Sequence, residues 1–294
     1  MENRYIWVVG TLLAWGIAGI PIGIQIKARQ LHSEVSELQN KGQHQTALNK
    51  LQQQLVIDRK WRDRVGEGVT LNNLGMVYYE QGEDSQAIEY YHQALAIRRD
   101  IGDRTGEGIT LNYLGVVYDD LGEYSQAMEY YHQALAIRRE VGDRTGEAVT
   151  LNNLGLVYDD LGEYSQAMEY LHQALAIRRE VGDRTGEAVT LNNLGSIFQD
   201  QKQYSLAMEY YHQALAIRRD IGDRPGELKI LNNLGSLYYD RRQYTQAMEY
   251  HNQALAIARE VGNLTFEGIT LNNLNAVRSK LGHSANDPSL STVD

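Results

Sequence analysis

Residues 103–142 read DRTGEGITLNYLGVVYDDLGEYSQAMEYYHQALAIRREVG, and residues 143–182 repeat this segment with five substitutions. The motif Leu-Asn-Asn-Leu-Gly or a close variant recurs every 40 residues, beginning at residues 71, 111, 151, 191, 231 and 271. Self-similarity at a fixed period of roughly 20 to 50 residues is typical of arrays whose units bury their apolar faces against their neighbours. The 294-residue chain is therefore predicted to contain one array and not two unrelated domains.

Each 40-residue unit shows the spacing of two helices. Leu111, Leu114 and Tyr118 recur at intervals of three and four residues, and a second such series starts at Ala127 after a break at Gly122. This spacing follows the 3.6-residue turn of an α-helix and excludes strands, in which apolar residues alternate. Each unit is therefore predicted to be a helical hairpin.

The ends of these helices carry residues that suit helix caps. Asp103 precedes the first helix of its unit, at the N-cap position, where a carboxylate accepts backbone N–H groups. Pro225, which follows the equivalent Asp223 by two residues, is tolerated only in the first turn of a helix. Gly142 follows the second helix and suits the left-handed position after a helix end. The helices are therefore predicted to start after Asp103 and to end before Gly142.

The repeated motif resembles a known family. Residues 71–78 read Leu-x-x-Leu-Gly-x-x-Tyr and are followed by Ala87-x-x-x-Tyr91. This pattern is similar to that of the tetratricopeptide repeat, W-x-x-L-G-x-x-Y followed by A-x-x-x-F. The resemblance implies an all-α, right-handed superhelical solenoid of antiparallel helix pairs. The period of 40 instead of 34 and the missing closing Pro resemble the longer repeats of Pins-type adaptors and of many bacterial scaffold proteins.

The sequence predicts flanking segments on both sides of the clear repeats. Ala47 lies one period before Ala87, which indicates a degenerate first repeat, and Arg278 stands where earlier copies have Tyr, as a terminal helix requires. The predicted layout is 1–26 for an N-terminal membrane anchor, 27–66 for the degenerate first repeat, 67–106, 107–146, 147–186, 187–226 and 227–266 for five repeats, 267–281 for a capping helix and 282–294 for a disordered tail.

The N-terminal segment has the composition of a membrane helix. The twenty residues from Tyr5 to Ile24 carry no charge, and as a helix they would span roughly 30 Å, the thickness of a hydrocarbon core. A cleaved signal peptide is the alternative. The bases Lys27 and Arg29 favour a cytoplasmic body over an extracytoplasmic one. The sequence thus predicts a single-pass membrane protein, and the pair Gly19-x-x-x-Gly23 would permit weak homo-oligomers through this helix.

Charge and composition exclude several classes of protein. The net charge is -10, and residues 1–64 alone carry +4, so the rest of the chain carries -14. This balance argues against nucleic acid as a partner, because a phosphate backbone binds basic surfaces. With no Cys, the chain has no thiolate metal site, iron-sulfur cluster or Cys nucleophile.

The sequence also gives no sign of catalysis or of a cofactor. Four histidines recur at the 40-residue period, at positions 92, 132, 172 and 212. Equivalent helices lie about 8 to 10 Å apart, so this row cannot converge on one metal ion. The paired carboxylates at 119–120 and 159–160 have no accompanying nucleophile or His partner. We therefore predict that the protein is not an enzyme and binds no metal or cofactor.

One asparagine per repeat points to a binding groove instead. In tetratricopeptide arrays the side of the first helix that carries this residue lines the concave groove. A primary amide both donates and accepts hydrogen bonds, so a row of amides can pair with the backbone of an extended peptide. The alternative is that these amides bond within the array and order neighbouring helices. The residues of this row are Asn72, Asn112, Asn152, Asn192, Asn232 and Asn272.

Neighbouring positions predict the chemistry of the peptide. Met76, Val116 and Leu156 make the N-terminal half of the groove apolar, whereas one edge of the groove is acidic. The predicted partner is therefore a protein segment with apolar and basic residues. The acidic positions are Asp119, Asp120, Asp159, Asp160, Asp200 and Asp240.

These observations favour a membrane-tethered, non-catalytic scaffold that binds a partner protein in its groove. Two other functions are compatible with the same sequence. One is a regulatory module whose curvature changes when a peptide binds, and the other is a spacer or a self-associating rod.

Overall fold

The computed structural model describes residues 34–35, 37–38 and 42–285. The chain divides into two compact units, which we call the first unit (Met1–Leu161) and the second unit (Gly162–Asp294). All regular structure within the described residues is α-helical, so the predicted all-α repeat class is confirmed.

Each unit contains six described helices. Those of the first unit are α1 (His44–Trp61), α2 (Arg64–Glu80), α3 (Asp84–Asp100), α4 (Arg104–Asp120), α5 (Tyr124–Val141) and α6 (Arg144–Asp160). Those of the second unit are α7 (Tyr164–Val181), α8 (Arg184–Asp200), α9 (Tyr204–Asp220), α10 (Arg224–Asp240), α11 (Tyr244–Glu260) and α12 (Leu264–Ala285). The even-numbered helices are the first helices of their repeats, and the odd-numbered helices are the second helices.

Capping residues lie at the start of the first helix and at the end of the second helix of a repeat, as the sequence predicts. The Asp103 carboxylate accepts a hydrogen bond from the Gly106 backbone N–H at 2.9 Å and so satisfies one of the free donors of the first turn of α4. Pro225 lies in the first turn of α10. Gly142 follows α5 with a φ of 72°, a left-handed conformation that glycine adopts without steric cost.

The core of a hairpin depends on a close approach between a glycine and a ring. A Cβ on Gly115 of α4 would lie 2.5 Å from Cε1 of Tyr131 in α5, so only glycine lets this ring pack against the helix backbone. Tyr131, Leu111 and Leu114 are completely buried. The repeated Leu, Gly, Tyr and Ala positions are therefore packing positions, which explains why the same few residue types recur in each copy.

The predicted membrane localisation is corrected by the structure. The anchor predicted at residues 1–26 lies outside the described residues, and so does the Gly19-x-x-x-Gly23 pair. Among the helices that the structure describes, none is both long enough and apolar enough to cross a bilayer. The prediction of a single-pass membrane protein is therefore wrong on this finding.

The C-terminal helix is longer than predicted. Helix α12 continues to Ala285, whereas the sequence predicted a capping helix that ends at residue 281 and a disordered tail from 282. No Pro interrupts the segment before residue 286, so nothing in the local sequence forces an earlier end. The rest of the predicted tail, 286–294, lies outside the described residues.

Candidate functional site

The candidate site of the first unit lies on its first helices, α2, α4 and α6. One aliphatic side chain per repeat stays half-buried there: Val69, Ile109 and Val149. We call the surface formed by these three residues the aliphatic row. Its side chains keep apolar area in contact with water, unlike the leucines of the hairpin cores, which are completely buried.

The predicted asparagines of the first unit lie beneath the surface. Asn72 and Asn112 are buried, with 5% and 0% of their area exposed. The Thr110 hydroxyl lies 3.1 Å from Oδ1 of Asn72, and the Thr150 hydroxyl lies 3.1 Å from Oδ1 of Asn112. Because each threonine belongs to the repeat after its asparagine, these contacts link consecutive first helices. Asn152 is also buried, with 5% exposed.

The amide nitrogen of Asn112 differs from its oxygen. Nδ2 of Asn112 is buried and has no hydrogen-bond partner among the described residues. A buried donor without an acceptor costs about 1 to 3 kcal/mol. The amide of Asn112 therefore carries one unsatisfied donor on α4, the helix that also carries Ile109.

The asparagines of the second unit are arranged less regularly. Oδ1 of Asn192, a half-buried residue, accepts a hydrogen bond from Nδ2 of Asn233 at 2.8 Å. Asn232 is buried and donates to the Thr270 hydroxyl at 2.9 Å. Asn272, on the last helix, is exposed. The predicted row thus combines amides that bond between repeats with one amide that faces solvent.

Asn232 also holds a buried histidine. Oδ1 of Asn232 lies 3.0 Å from Nδ1 of His251, which is only 1% exposed. Burial lowers the pKa of His251 to about 4, because the charged ring would lose its hydration. The neutral ring packs against Gly235 as Tyr131 packs against Gly115. His251 is therefore a core residue and not a metal ligand.

The predicted apolar positions are mostly covered. Met76, Val116 and Leu156 are 5%, 4% and 7% exposed, so they form the floor of the first-helix surface and not its accessible part. In the second unit the same repeat positions carry the half-buried Ser196 and Ser236. The N-terminal half of the predicted groove is thus apolar. Its solvent-accessible apolar area comes from the aliphatic row and not from Met76, Val116 and Leu156.

The predicted acidic positions lie at the C-terminal ends of the first helices. The Tyr79 hydroxyl donates a hydrogen bond to Asp120, and this contact, after burial, raises the pKa of Tyr79. Nε2 of Gln199 donates to Oδ2 of Asp240 at 2.7 Å. Within each unit, these carboxylates therefore connect consecutive first helices while their outer oxygens face water. Asp119 is buried, Asp159 is half-buried, and Asp120, Asp160, Asp200 and Asp240 are exposed.

The histidine row lies on the exposed face of the second helices. The ring of His92 lies 6.2 Å from the ring of Tyr130 in the next repeat. Partial burial, and secondarily the charge of Arg99, lowers the pKa of His92. His172 and His212 have equivalent tyrosine neighbours. Within the described part of the chain, no group of three His, Asp or Glu residues could hold a metal ion.

A row of buried arginines was not predicted from the sequence. Arg98 and Arg138 lie in the last turns of the second helices α3 and α5. They are 5% and 2% exposed. Nη1 of Arg98 lies 3.7 Å from Oδ2 of Asp103, the N-cap of the following helix. Burial lowers the pKa of both arginines, and their Nε atoms have no hydrogen-bond partner among the described residues. The sequence does contain a pattern that marks these arginines. In each case the first Arg of an Arg-Arg pair is followed five residues later by the motif Asp-Arg-x-Gly.

In the second unit, Arg178 and Arg218 occupy the same position. Arg178 donates to the backbone carbonyl of Gly186, and burial lowers its pKa to about 10. Arg218 pairs with Asp223. A glycine in the first turn of the following helix leaves room for each guanidinium, because a Cβ there would overlap the arginine. These arginines therefore link a second helix to the first helix of the next repeat.

The chain matches the family model described as Tetratricopeptide repeat over residues 38–100, 102–180 and 186–260, which is more than half of its length. The chain belongs to the tetratricopeptide repeat family. Family membership accounts for the repeated Leu, Gly, Tyr and Ala positions, which are the packing positions of the hairpins. No curated protein matches the chain.

Solved structures with a similar fold include BtubC (BKLC) from P. vanneervenii, which is 21% identical with a TM-score of 0.66 and is matched over 75% of this chain and 92% of that one. Aspartyl phosphate phosphatase F from Bacillus subtilis is 18% identical with a TM-score of 0.66 and coverages of 90% and 75%. A Rap protein complexed with competence and sporulation factor is 16% identical with a TM-score of 0.62 and coverages of 85% and 74%. At these identities the likeness shows the fold alone.

Proposed function

We propose that this tetratricopeptide repeat protein is a non-catalytic scaffold that binds an extended segment of a partner protein on the first helices of its first unit. The observation that carries the proposal is the aliphatic row, Val69, Ile109 and Val149, which leaves one half-buried apolar side chain per repeat. Residues of an extended segment that contacted this row would remove apolar area from water at about 25 cal/mol per Å². A repeated surface of this kind suits a repeated ligand such as an extended chain.

The acidic positions would select basic side chains in that segment. Asp120 and Asp160 are exposed at the ends of α4 and α6, one on each of two consecutive first helices. Lys or Arg side chains of a partner would be attracted to them, which contributes mainly to the association rate and to specificity. The proposed partner is thus a protein segment that carries apolar and basic residues.

In this proposal the asparagines have two roles. The buried amides of Asn72 and Asn112 hold consecutive first helices of the first unit at the spacing of the repeat, and their bonds to threonines support this role. Asn192 and Asn272, which retain exposed area, would contact a segment on the second unit.

Family membership also supports a binding function over a catalytic one. A structure with the same fold contains a Rap protein together with competence and sporulation factor. Among the described residues, His251 packs in a hairpin core, Asp120 and Asp240 bond to a neighbouring repeat, and the periodic histidines lie at the surface. The right-handed superhelical course and the likeness to Pins-type adaptors stay predictions of the sequence resemblance.

Cross-linking locates the bound segment. We would incubate the full chain with a nine-residue peptide of alternating Leu and Lys that carries one photoreactive side chain, irradiate it and map the adducts by mass spectrometry. We expect adducts on the first helices, near Ile109 and Val149. Adducts confined to the second helices, near His92 and His132, would show that the aliphatic row is not the binding surface. A peptide with Glu in place of Lys is the charge control.

A further inference from the structure

The turns between first and second helices differ between the two units. In the first unit the turn after α4 is Leu121-Gly122-Glu123, which is acidic and contains glycine. In the second unit the turn after α8 is Gln201-Lys202-Gln203, and the turn after α10 is Arg241-Arg242-Gln243. In two consecutive turns of an otherwise acidic chain, the second unit therefore replaces the glycine by a base and the glutamate by a neutral glutamine.

The backbone at these turns keeps the conformation that favours glycine. Gly122 has a φ of 75°, and Lys202 and Arg242 each have a φ of 60°. A residue with a Cβ is strained in this left-handed region, so the replacement of glycine carries a steric cost. Such strain is found preferentially where a side chain serves binding. Lys202 and Arg242 thus occupy positions where the backbone conformation favours glycine.

The bases of these turns have no acidic partner. Among the described residues, Lys202, Arg241 and Arg242 form no ion pair. The one side-chain contact of Arg241 is weak, with Nη1 4.0 Å from Sδ of Met208. In contrast, the arginines at the opposite ends of the hairpins are paired, as Arg219 is with Glu227 at 2.7 Å. The turn bases are therefore available to an external anion.

A depression lies beside two of these bases, Lys202 and Arg241, and Leu206 forms its apolar wall. It has a volume of about 360 Å³ and is lined by Lys202, Gln203, Tyr204, Ser205, Leu206 and Arg241. Leu206 is 40% exposed, and the equivalent residue in the first unit is Gln126. An exposed leucine beside unpaired bases distinguishes this place from the other turns. We call the depression the turn pocket.

Two glutamines of the same turns, Gln201 and Gln243, have unsatisfied polar atoms. Nε2 of Gln201 and Oε1 of Gln243 are buried and have no hydrogen-bond partner among the described residues. Buried polar atoms are normally paired, so such atoms mark places where a water or a ligand completes the network.

We propose that the turn pocket binds an acidic segment of a partner protein that carries a large apolar side chain beside its carboxylates. The carboxylates pair with Lys202, Arg241 and Arg242, and the apolar side chain packs on Leu206. Charge-assisted hydrogen bonds from a guanidinium fix the orientation of a carboxylate more firmly than a screened surface charge does. This pocket is separate from the aliphatic row and does not rest on the function proposed for it.

Peptide binding to the full chain tests this proposal. The probe is a fluorescein-labelled eight-residue peptide with a central Leu flanked by Asp and Glu, and binding is followed by fluorescence anisotropy. The variant Lys202→Gly, Arg241→Leu, Arg242→Gly carries the residues that the first unit has in its turns, so we expect it to fold with an unchanged or higher melting temperature. We expect the variant to bind the peptide at least about tenfold more weakly, because the charge-assisted contacts are lost.

The controls separate the pocket from general charge effects and from the aliphatic row. Leu206→Gln should weaken binding about threefold, and so should replacing the Leu of the peptide by Ser. Ile109→Lys with Val149→Lys should leave binding of the acidic peptide unchanged. Unchanged affinity of the triple variant would overturn the proposal. Equal displacement by inorganic phosphate and by the peptide would also overturn it, because a simple anion site would then suffice.

Discussion

The first and second units share a repeat but differ where it reaches the surface. At the same repeat position the first unit has Val116, which is 4% exposed, and the second has Ser196 and Ser236, which are half-buried. In the hairpin core, Tyr131 of the first unit corresponds to His251 of the second. The capping Asp changes only at the last joint, where Asn263 replaces it, and two of the turn glycines are replaced by Lys202 and Arg242. The backbone of the repeat is therefore constant, while the chemistry of its surfaces and of one core position varies.

This difference shows how one repeat produces two kinds of surface. The packing positions tolerate few residue types, because the rings of the second helices lie directly against glycines of the first. The positions beside them face water and accept Val, Ser or Lys without loss of the hairpin. Function in such an array is therefore expected at the positions that face water and not at the packing positions.

The largest expected difference between the units is their response to acid. The pKa of His251 is about 4 in the fold and about 6.5 unfolded, so the unfolded chain binds the proton first. This histidine costs the fold nothing above about pH 6.5 and progressively destabilises it as the pH falls toward 4. We expect the second unit to lose about 3 kcal/mol of unfolding free energy between pH 7 and pH 4 from this residue. Denaturant unfolding at the two pH values measures the loss.

A single substitution isolates this effect. His251→Tyr places in the second unit the residue that the first unit has at Tyr131. Between pH 7 and pH 4 the free energy of unfolding should fall less for the variant than for the original chain. The difference should equal the loss expected from His251. Equal acid sensitivity of both proteins would show that His251 is not the group that titrates.

The next largest effect concerns the buried arginines. Arg138→Ala removes a buried guanidinium and leaves the carboxylate of Asp143 without its partner, so we expect a loss of about 2 kcal/mol. The last joint of the second unit already has Ala258 and Asn263 at these positions. There the Asn263 side chain still caps its helix, accepting from the Phe266 N–H at 3.0 Å.

The double variant Arg138→Ala, Asp143→Asn therefore copies a joint that the chain already contains. We expect it to recover part of the lost stability, because no unpaired carboxylate is left. A double variant less stable than Arg138→Ala in thermal unfolding would contradict the role given to the pair.

The smallest predicted effect compares two asparagines of the same repeat position. Asn112→Ala in the first unit removes the acceptor of the Thr150 hydroxyl and should cost about 1 kcal/mol. Asn272→Ala in the second unit changes an exposed residue and should cost less than about 0.5 kcal/mol. Urea unfolding of both variants gives the comparison, and equal losses would show that the inter-repeat bond contributes nothing.

Much of the fold could be predicted because the chain contains its own comparison. The spacing of Leu111, Leu114 and Tyr118 predicted the helices, and Asp103 and Gly142 predicted where they begin and end. Both signals are local, because periodicity and capping depend on residues close together in the sequence. The capping helix was predicted too short, because its end was placed before Gly282, and that glycine lies inside α12.

The candidate site was harder to predict, since it depends on contacts between repeats. Periodicity places Asn112 on one side of α4 but does not show that Thr150 of the next repeat covers it. Arg138 and Arg139 look alike in the sequence as favourable charges at a helix C-terminus. Only the packing of the next helix distinguishes them, since it buries Arg138 and leaves Arg139 exposed.

The central claim is that the aliphatic row of the first unit binds a partner segment. The most direct measurement is the affinity of the full chain for the Leu-Lys peptide, compared with that of Ile109→Lys plus Val149→Lys. The matched variant in the second unit is Val189→Lys plus Ile269→Lys, which changes two half-buried residues at the same repeat position. We expect the first variant to bind the peptide at least about tenfold more weakly, because apolar contact is lost and the added lysines repel the basic peptide. The affinity of the second variant should change little. Equal affinity of all three proteins for the peptide would contradict it.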